Sequence, residues 1–214
     1  MRVLITSAGT ALARALAADL SLENDVILTD VVDVSTDLAF HPCDLGHDGE
    51  TESLVEGMDA IVHVAELPQC QQSDEREIDF QTRCTYNIMV AAREKRVGHV
   101  VYLSSLSLFE TCDPNWNVTE QWAPRPSTDA GPIGKYLGEF TCREFAREHS
   151  VRVTCLRLGE VGGDGDTALS VTDAVRAIAS ALTIEGPMWR VLHVQSEVEN
   201  ARFPIGQAKE ALGI

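Results

Sequence analysis

No stretch of this chain approaches the run of apolar residues needed to cross a bilayer. Its opening, MRVLITSAGT, has no charged leader, apolar segment or small-residue cleavage site. A soluble, cytoplasmic protein with no membrane association is expected. Positive charge is also scarce: 17 basic side chains face 33 acidic ones, for a formal net charge of -16. Only Lys95, Lys135 and Lys209 are lysines. Such a field repels a phosphate backbone, and no basic stripe offsets it, which argues against nucleic acid as a partner. The six cysteines form no Cys-x-x-Cys pair, so neither a zinc ribbon nor a dithiol redox motif is spelled out, and reduced, mostly buried thiols are expected. There is no Pro/Gly/Ser-rich linker, internal repeat or low-complexity tract, and 214 residues bury a full core, so the expectation is one domain over 1–214.

What is present is an alternation of short apolar runs and helical periods. Arg2 to Thr6 reads as a buried strand, Ala11 to Leu20 as an alanine-rich helix, and Asp25 to Asp30 as a strand ending on an acid. The pattern continues with a strand near Phe40 to Cys43, a helix around Glu50 to Glu56 and an apolar strand from Ala60 to Ala65. Then come a long amphipathic helix from Arg76 to Arg96, a strand from His99 to Ser104, a helix from Lys135 to His149 and a strand from Val151 to Leu158. The last third holds a helix from Val171 to Leu182, a strand near Arg190 to Gln195, and a helix from Pro204 to Leu212 closed by Gly213. Alternation of this kind predicts an α/β fold: a doubly wound, Rossmann-type, mostly parallel sheet with helices on both faces and ligands at the carboxyl ends of the strands.

The segment from Glu110 to Pro132 is rich in Pro, Asn, Asp and Trp and reads as a long loop, a length usually reserved for functional or mobile segments. Trp116 and Trp122 in it either cap a cleft or pack the loop onto the domain. His63, His99 and His193 fall in or beside strands, where core hydrogen bonding accounts for them. The set His41, Cys43, Asp44 and His47 matches no standard metal spacing, so no metal is expected.

The ordered motifs LITSAGTALARALA, Asp30, CDL, DAIVHVAE, VVYLSS and GKYLGEFTCREFAREHSVRVTCLRLG resemble an extended short-chain dehydrogenase/reductase. They are most similar to the NAD-dependent epimerase/dehydratase branch, including its uronate-dehydrogenase type. The resemblance runs over nearly the whole chain. It implies a dinucleotide at the turn after the first strand, in a cofactor site comprising Ser7, Ala8, Thr10, Ala11, Leu12, Asp30, Asp44, Leu45, Ala65 and Lys135. Family turns read Thr-Gly-x-x-Gly-x-x-Gly, and here the three glycines are Ser7, Thr10 and Ala13. Those glycines allow a tight bend, close approach of backbone to pyrophosphate, and close helix packing, so their loss weakens or reshapes binding, with Thr10 the most obstructive. The helix N-terminus still offers free N–H groups, and the Ser7 and Thr10 hydroxyls are further candidate donors. Asp30, at the end of the second strand, is either a ribose acceptor that favours NAD over NADP or a solvated strand-end acid. Asp44 and Leu45, at the family's adenine-contacting position, favour the first reading.

The resemblance also implies that Ser105 orients the substrate oxygen and that Lys135 holds the nicotinamide ribose. The tyrosine four residues before that lysine, the family's acid/base, is replaced by Gly131. Tyr136 lies about 7.5 Å along and about 140° around a helix from position 131, so it needs a different substrate pose to replace it. Gln81 and Cys84 stand where the family has Asn and Gly. The short turn from Gly159 to Ser170 replaces the usual substrate subdomain, so a large nucleotide-sugar pocket is not expected. Helices 76–96 and 135–149 resemble the pair through which family members dimerise. Three functions follow as expectations. The first is an NAD-linked oxidoreductase or epimerase-like protein acting on a small sugar or sugar acid, and the second a non-catalytic dinucleotide- or nucleotide-binding regulator. The third is non-redox catalysis with Glu110, Asp113 or Glu120 as base.

Overall fold

The computed structural model describes residues 1–198 and 201–214. Seven strands form one sheet: β1 (Arg2–Ile5), β2 (Asp25–Asp30), β3 (Ala39–Pro42), β4 (Ala60–His63), β5 (His99–Ser105), β6 (Arg152–Leu158) and β9 (Trp189–Val194). Their order is β3-β2-β1-β4-β5-β6-β9, and every neighbouring pair is parallel. Chain order reverses between β1 and β4, which opens a crevice at their carboxyl ends. A parallel sheet covered on both faces needs strands that are apolar throughout, and all four residues of β4 are buried.

Alternation along β1 sends Val3 and Ile5 to one face and Leu4 to the other. The first face is covered by α1 (Ala11–Leu20), α6 (Val171–Thr183) and α7 (Gly206–Leu212), which contribute Leu16, Ile178 and Leu212. The second is covered by α2 (Gly49–Val55), α4 (Thr85–Lys95) and α5 (Ala130–Arg147), which contribute Val55, Ile88 and Ala146. Caps fix the helix starts: the Thr10 hydroxyl accepts from the Ala13 amide at 3.2 Å, and the Ser170 hydroxyl from the Asp173 amide at 3.0 Å. Gly213 ends α7 at φ 68°, in the left-handed region. No helix among the described residues is long and apolar enough to cross a membrane.

Three elements differ from the sequence expectation. The helix expected over 76–96 is α3 (Asp74–Asp79), a wide π-type turn over Phe80–Cys84, and then α4. The widened turn lies against α5 at its glycines: a Cβ on Gly138 would stand 2.8 Å from the Gln81 carbonyl oxygen. The α5 helix starts at Ala130, five residues earlier than expected, because Pro132 falls in the first turn, where a missing N–H costs no hydrogen bond. Gly131 and Lys135 are therefore one helical turn apart on the same face. The irregular segment ends correspondingly earlier, at Asp129, and carries a small core of its own: Leu106, Leu108, Phe109, Cys112, Val118 and Phe203, with Trp122 and Tyr136 against it. Trp122 thus packs the loop, and Trp116 leans against it, half-exposed, with ring centroids 5.5 Å apart and planes tilted by 46°. Between β6 and α6 stand only two two-residue strands, β7 (Glu160–Val161) and β8 (Ala168–Leu169).

Three histidines are buried neutral. The ring nitrogens of His63 meet the hydroxyls of Thr6 and Thr85 at 3.0 Å each, and His99 meets the Thr154 hydroxyl at 2.9 Å. Burial pulls His63 and His193 down to about 3 and His99 to about 4, aided by Lys135, Arg157 and Arg152 respectively. Because folding lowers these values from an unfolded value near 6.5, the stability they confer is complete above that pH and is lost as pH falls toward 4 and then 3. The melting temperature, followed by calorimetry from pH 7 to pH 4, is expected to fall. His63→Gln should flatten that dependence, and an unchanged slope would remove His63 as a contributor.

Candidate functional site

At the crevice is a cleft of about 630 Å³, walled by Thr10, Ala11 and Leu12 from the start of α1, by Glu66 after β4, and by Ser104 and Ser105 at the end of β5. Gly131, Pro132 and Lys135 of α5 close another side, with Glu77 and Gln81 behind them and Glu160 beyond β6. Of the residues expected to form the site, Thr10, Ala11, Leu12, Ser105 and Lys135 meet here.

The others serve the walls from within. Ser7 holds φ 59°, the left-handed bend a glycine would take without strain, and its buried hydroxyl oxygen accepts from the Glu66 amide at 3.1 Å. Ala8 is buried, with its amide on the Thr29 carbonyl. Ala65, at φ 54°, and Leu45, also at φ 54°, are buried bends after their strands. Asp30 is not a solvated acid: it is only 3% exposed, and its carboxylate accepts from the amides of Gly9 (2.8 Å), Val31 (2.7 Å) and Val32 (3.4 Å). Asp44 lines a separate hollow of about 390 Å³ with Val31 and Arg83, which shares Leu67 with the main cleft.

Lys135 is buried, and its ammonium donates to three backbone carbonyls: Val64 (2.7 Å), Leu103 (2.9 Å) and Ala65 (3.1 Å). An ammonium has three protons, so none is left for a ribose in this arrangement. Burial holds its pKa below the usual lysine value, against the opposing pull of Glu66 and Glu77. Ser105 remains available: its oxygen accepts from the Ser107 amide at 3.1 Å, leaving the hydroxyl proton free for the cleft. The Thr10 hydroxyl is committed, donating to the Ser7 carbonyl at 2.9 Å while it caps Ala13. The amides of Ala11 and Leu12, on the cleft wall, have no protein acceptor among the described residues. That helix N-terminus suits a phosphate group, whereas Lys135 has no unused N–H and the Asp30 carboxylate is turned onto backbone amides.

No tyrosine lines the cleft among the described residues. The Tyr102 hydroxyl is buried on the Lys135 backbone carbonyl at 3.2 Å, Tyr136 packs on the loop core, and Tyr86 lies half-exposed on α4. Glu77 stands beside Gly131: a Cβ on Gly131 would stand 3.3 Å from its Oε1, which accepts from Gln81 Nε2 at 3.2 Å. Glu110, Asp113 and Glu120, the loop acids considered as bases, do not line the cleft. Asp113 instead accepts from the Asn115 amide at 2.9 Å, and Glu120 accepts from the His193 amide and from Gln207. The cleft carboxylates are Glu66, Glu77 and Glu160. Glu66 and Glu160 were discoverable, since they lie three and two residues past the ends of parallel strands β4 and β6. Glu77 carried no such signal, because only the packing of α3 on α5 brings it there.

The chain matches the family model described as NAD dependent epimerase/dehydratase family over residues 6–195. It belongs to that family. Among solved structures, this family member is similar to uronate dehydrogenase from Agrobacterium tumefaciens, at 21% identity and TM-score 0.87 over 99% of this chain and 82% of that one. It is also similar to glucuronic acid dehydrogenase from Chromohalobacter salexigens, at 22% identity and TM-score 0.85 over 99% and 82%. A third is MoeE5 in complex with UDP-glucose and NAD, at 19% identity and TM-score 0.85 over 100% and 93%. At these identities the likeness is one of fold. No curated protein sequence matches the chain significantly.

Beneath the cleft floor, the family fold is locked here by a buried ion pair. Arg157 of β6 donates to both carboxylate oxygens of Glu139 of α5, at 2.6 and 3.1 Å, and the Ser104 hydroxyl donates to Glu139 at 3.0 Å. Their side chains are 3% and 7% exposed, so removing one partner strands a charge in the interior. Arg157→Ala should cost about 3–5 kcal/mol in urea denaturation. A paired replacement of Glu139 and Arg157 by Leu and Met should recover most of that loss. Equal losses in the single and paired variants would show that side-chain packing, rather than the stranded charge, sets the cost.

Proposed function

We propose that this protein binds NAD at the α1 end of the cleft and, beside it, a small sugar-type ligand. In this reading it is an NAD-linked oxidoreductase- or epimerase-like protein working without a tyrosine phenol. The observation that carries the reading is a cleft at the sheet's switch point that presents free Ala11 and Leu12 amides at one end and the Ser105 hydroxyl at the other. The family's NAD dependence and the NAD in the MoeE5 complex support the cofactor. When bound, NAD would supply a nicotinamide ring able to accept or return a hydride. The chain's own part is to receive phosphate on the α1 amides, orient a ligand oxygen with Ser105, and hold the cleft's shape through Lys135. The narrow span between β6 and α6 favours a small ligand over a nucleotide sugar.

A second reading, a non-catalytic nucleotide-binding regulator, is favoured by one observation: Gly131 carries no acid/base and the Lys135 protons are committed to the backbone. Calorimetric titration with NAD, followed by an absorbance assay for reduced cofactor with a panel of sugars, separates the two. Binding with turnover supports the first, binding without turnover the second, and no binding rejects both. Thr10→Gly should tighten NAD binding if that side chain obstructs the pyrophosphate. Unchanged or weaker affinity rejects the obstruction.

A homodimer through α4 and α5 belongs to the same proposal. Tyr86, Leu137 and Phe140 stand exposed there by 50, 37 and 44%. Sedimentation should report a dimer that Phe140→Glu converts to monomer, and a monomeric parent protein would reject the interface.

A further inference from the structure

One peptide unit at the crevice is held from both edges. The Ala65 carbonyl accepts from the Lys135 ammonium at 3.1 Å, and the N–H of the same peptide, that of Glu66, donates to the Ser7 hydroxyl oxygen at 3.1 Å. A trans peptide carries its C=O and N–H on opposite edges, so this unit lies between α5 on one side and the turn from β1 into α1 on the other. Ser7 passes the hold on. Its carbonyl accepts from both the amide and the hydroxyl of Thr10, at 3.0 and 2.9 Å, and that hydroxyl caps α1 at the Ala13 amide. Both bends sit in the left-handed region, Ser7 at φ 59° and Ala65 at φ 54°, where a side chain persists only if its surroundings fix it. Ser7 is 1% exposed and is not among the residues that line the cleft.

We propose that Ser7 is a positioning residue, whose hydroxyl oxygen carries the hold of Lys135 across the Ala65–Glu66 peptide to the start of α1 and thereby sets how tightly the Ala11 and Leu12 amides take a phosphate group. A charged donor on the carbonyl polarises the peptide and strengthens its N–H, so the bond to Ser7 is stronger than one from an isolated amide. A glycine at position 7 would take the bend without strain, but it would leave the Glu66 amide without this acceptor and the turn without its tie to the end of β4. Ser7 acts on the ligand through the turn, without touching it. The inference deepens the cofactor reading given above and rests on it for the identity of the ligand.

The test is Ser7→Ala and Ser7→Gly in the full chain, each read by calorimetric titration with NAD, by melting temperature, and by amide hydrogen exchange without ligand. Ser7→Ala keeps the left-handed bend on a residue with a Cβ and loses the oxygen, whereas Ser7→Gly relieves the bend and loses the oxygen too. Both are expected to weaken NAD binding about fivefold, the scale of one hydrogen bond, and to speed exchange at the Glu66, Thr10 and Ala13 amides. The melting temperatures should diverge, with Ser7→Gly the more stable, so that the loss of affinity does not follow stability. NAD binding as tight as the parent's in Ser7→Gly overturns the proposal, because affinity would then depend on the bend alone. Unchanged affinity in Ser7→Ala, or unchanged exchange at Glu66 in both variants, also overturns it. If Ser7→Ala does not fold, Ser7→Gly decides. If the parent chain binds no NAD, the cofactor reading falls and the exchange rates decide this one: faster exchange at Thr10 and Ala13 sustains the tie, and unchanged rates reject it.

Discussion

Lys135 donates its three protons to the carbonyls of Val64, Ala65 and Leu103, and the architecture of the cleft depends on that contact. Where parallel strands end, their last carbonyls lose ladder partners just where the sheet must open to receive a ligand. One ammonium from α5 satisfies the ends of β4 and β5 together and fixes the helix against them. Burial makes the arrangement expensive to break, since a displaced ammonium would leave three carbonyls without donors. The same constraint leaves Lys135 no unused N–H toward the cleft, where the other charged side chains are the carboxylates Glu66, Glu77 and Glu160.

The remaining polar groups follow from it. With α5 held at this height, Gly134 and Gly138 let the widened turn at Gln81 approach closely, and that approach sets Glu77 beside Gly131. One turn further along α5, Glu139 reaches Arg157 and Ser104 and joins β6 to the same helix. Arg157 also contacts the Glu120 carbonyl at 3.4 Å, while Arg202 donates to the carbonyls of Phe109 and Cys112, so the long loop is secured by cations reaching backbone rather than by regular structure.

Much of this was legible from pattern. Apolar runs marked every strand of the sheet to within a residue or two, most plainly in the interior strands, which are covered on both faces and must be apolar along their length. The doubly wound order and the place of the cleft followed from their alternation with helices. The widened turn in the helix expected over 76–96 was hidden, since it depends on how two helices approach one another and leaves no mark in either helix's own period. The long loop read correctly as irregular, but its private core around Phe109 and Phe203 did not show, because it joins residues more than 90 positions apart.

At the site, sequence alone determined which residue types stand where: Gly131 four residues before Lys135, and Ser7, Thr10 and Ala13 around the turn after the first strand. A residue's type is a local fact that needs no fold to establish it. What these groups do was decided only by tertiary structure. Asp30 and Lys135 carry the residue types of ligand-binding groups, yet their charges are spent on backbone amides and carbonyls from other elements. Glu77 has no notable sequence context and stands in the cleft. A side chain's type fixes which bonds it can make, whereas its partners are fixed by what the folded chain brings within about 3 Å of it.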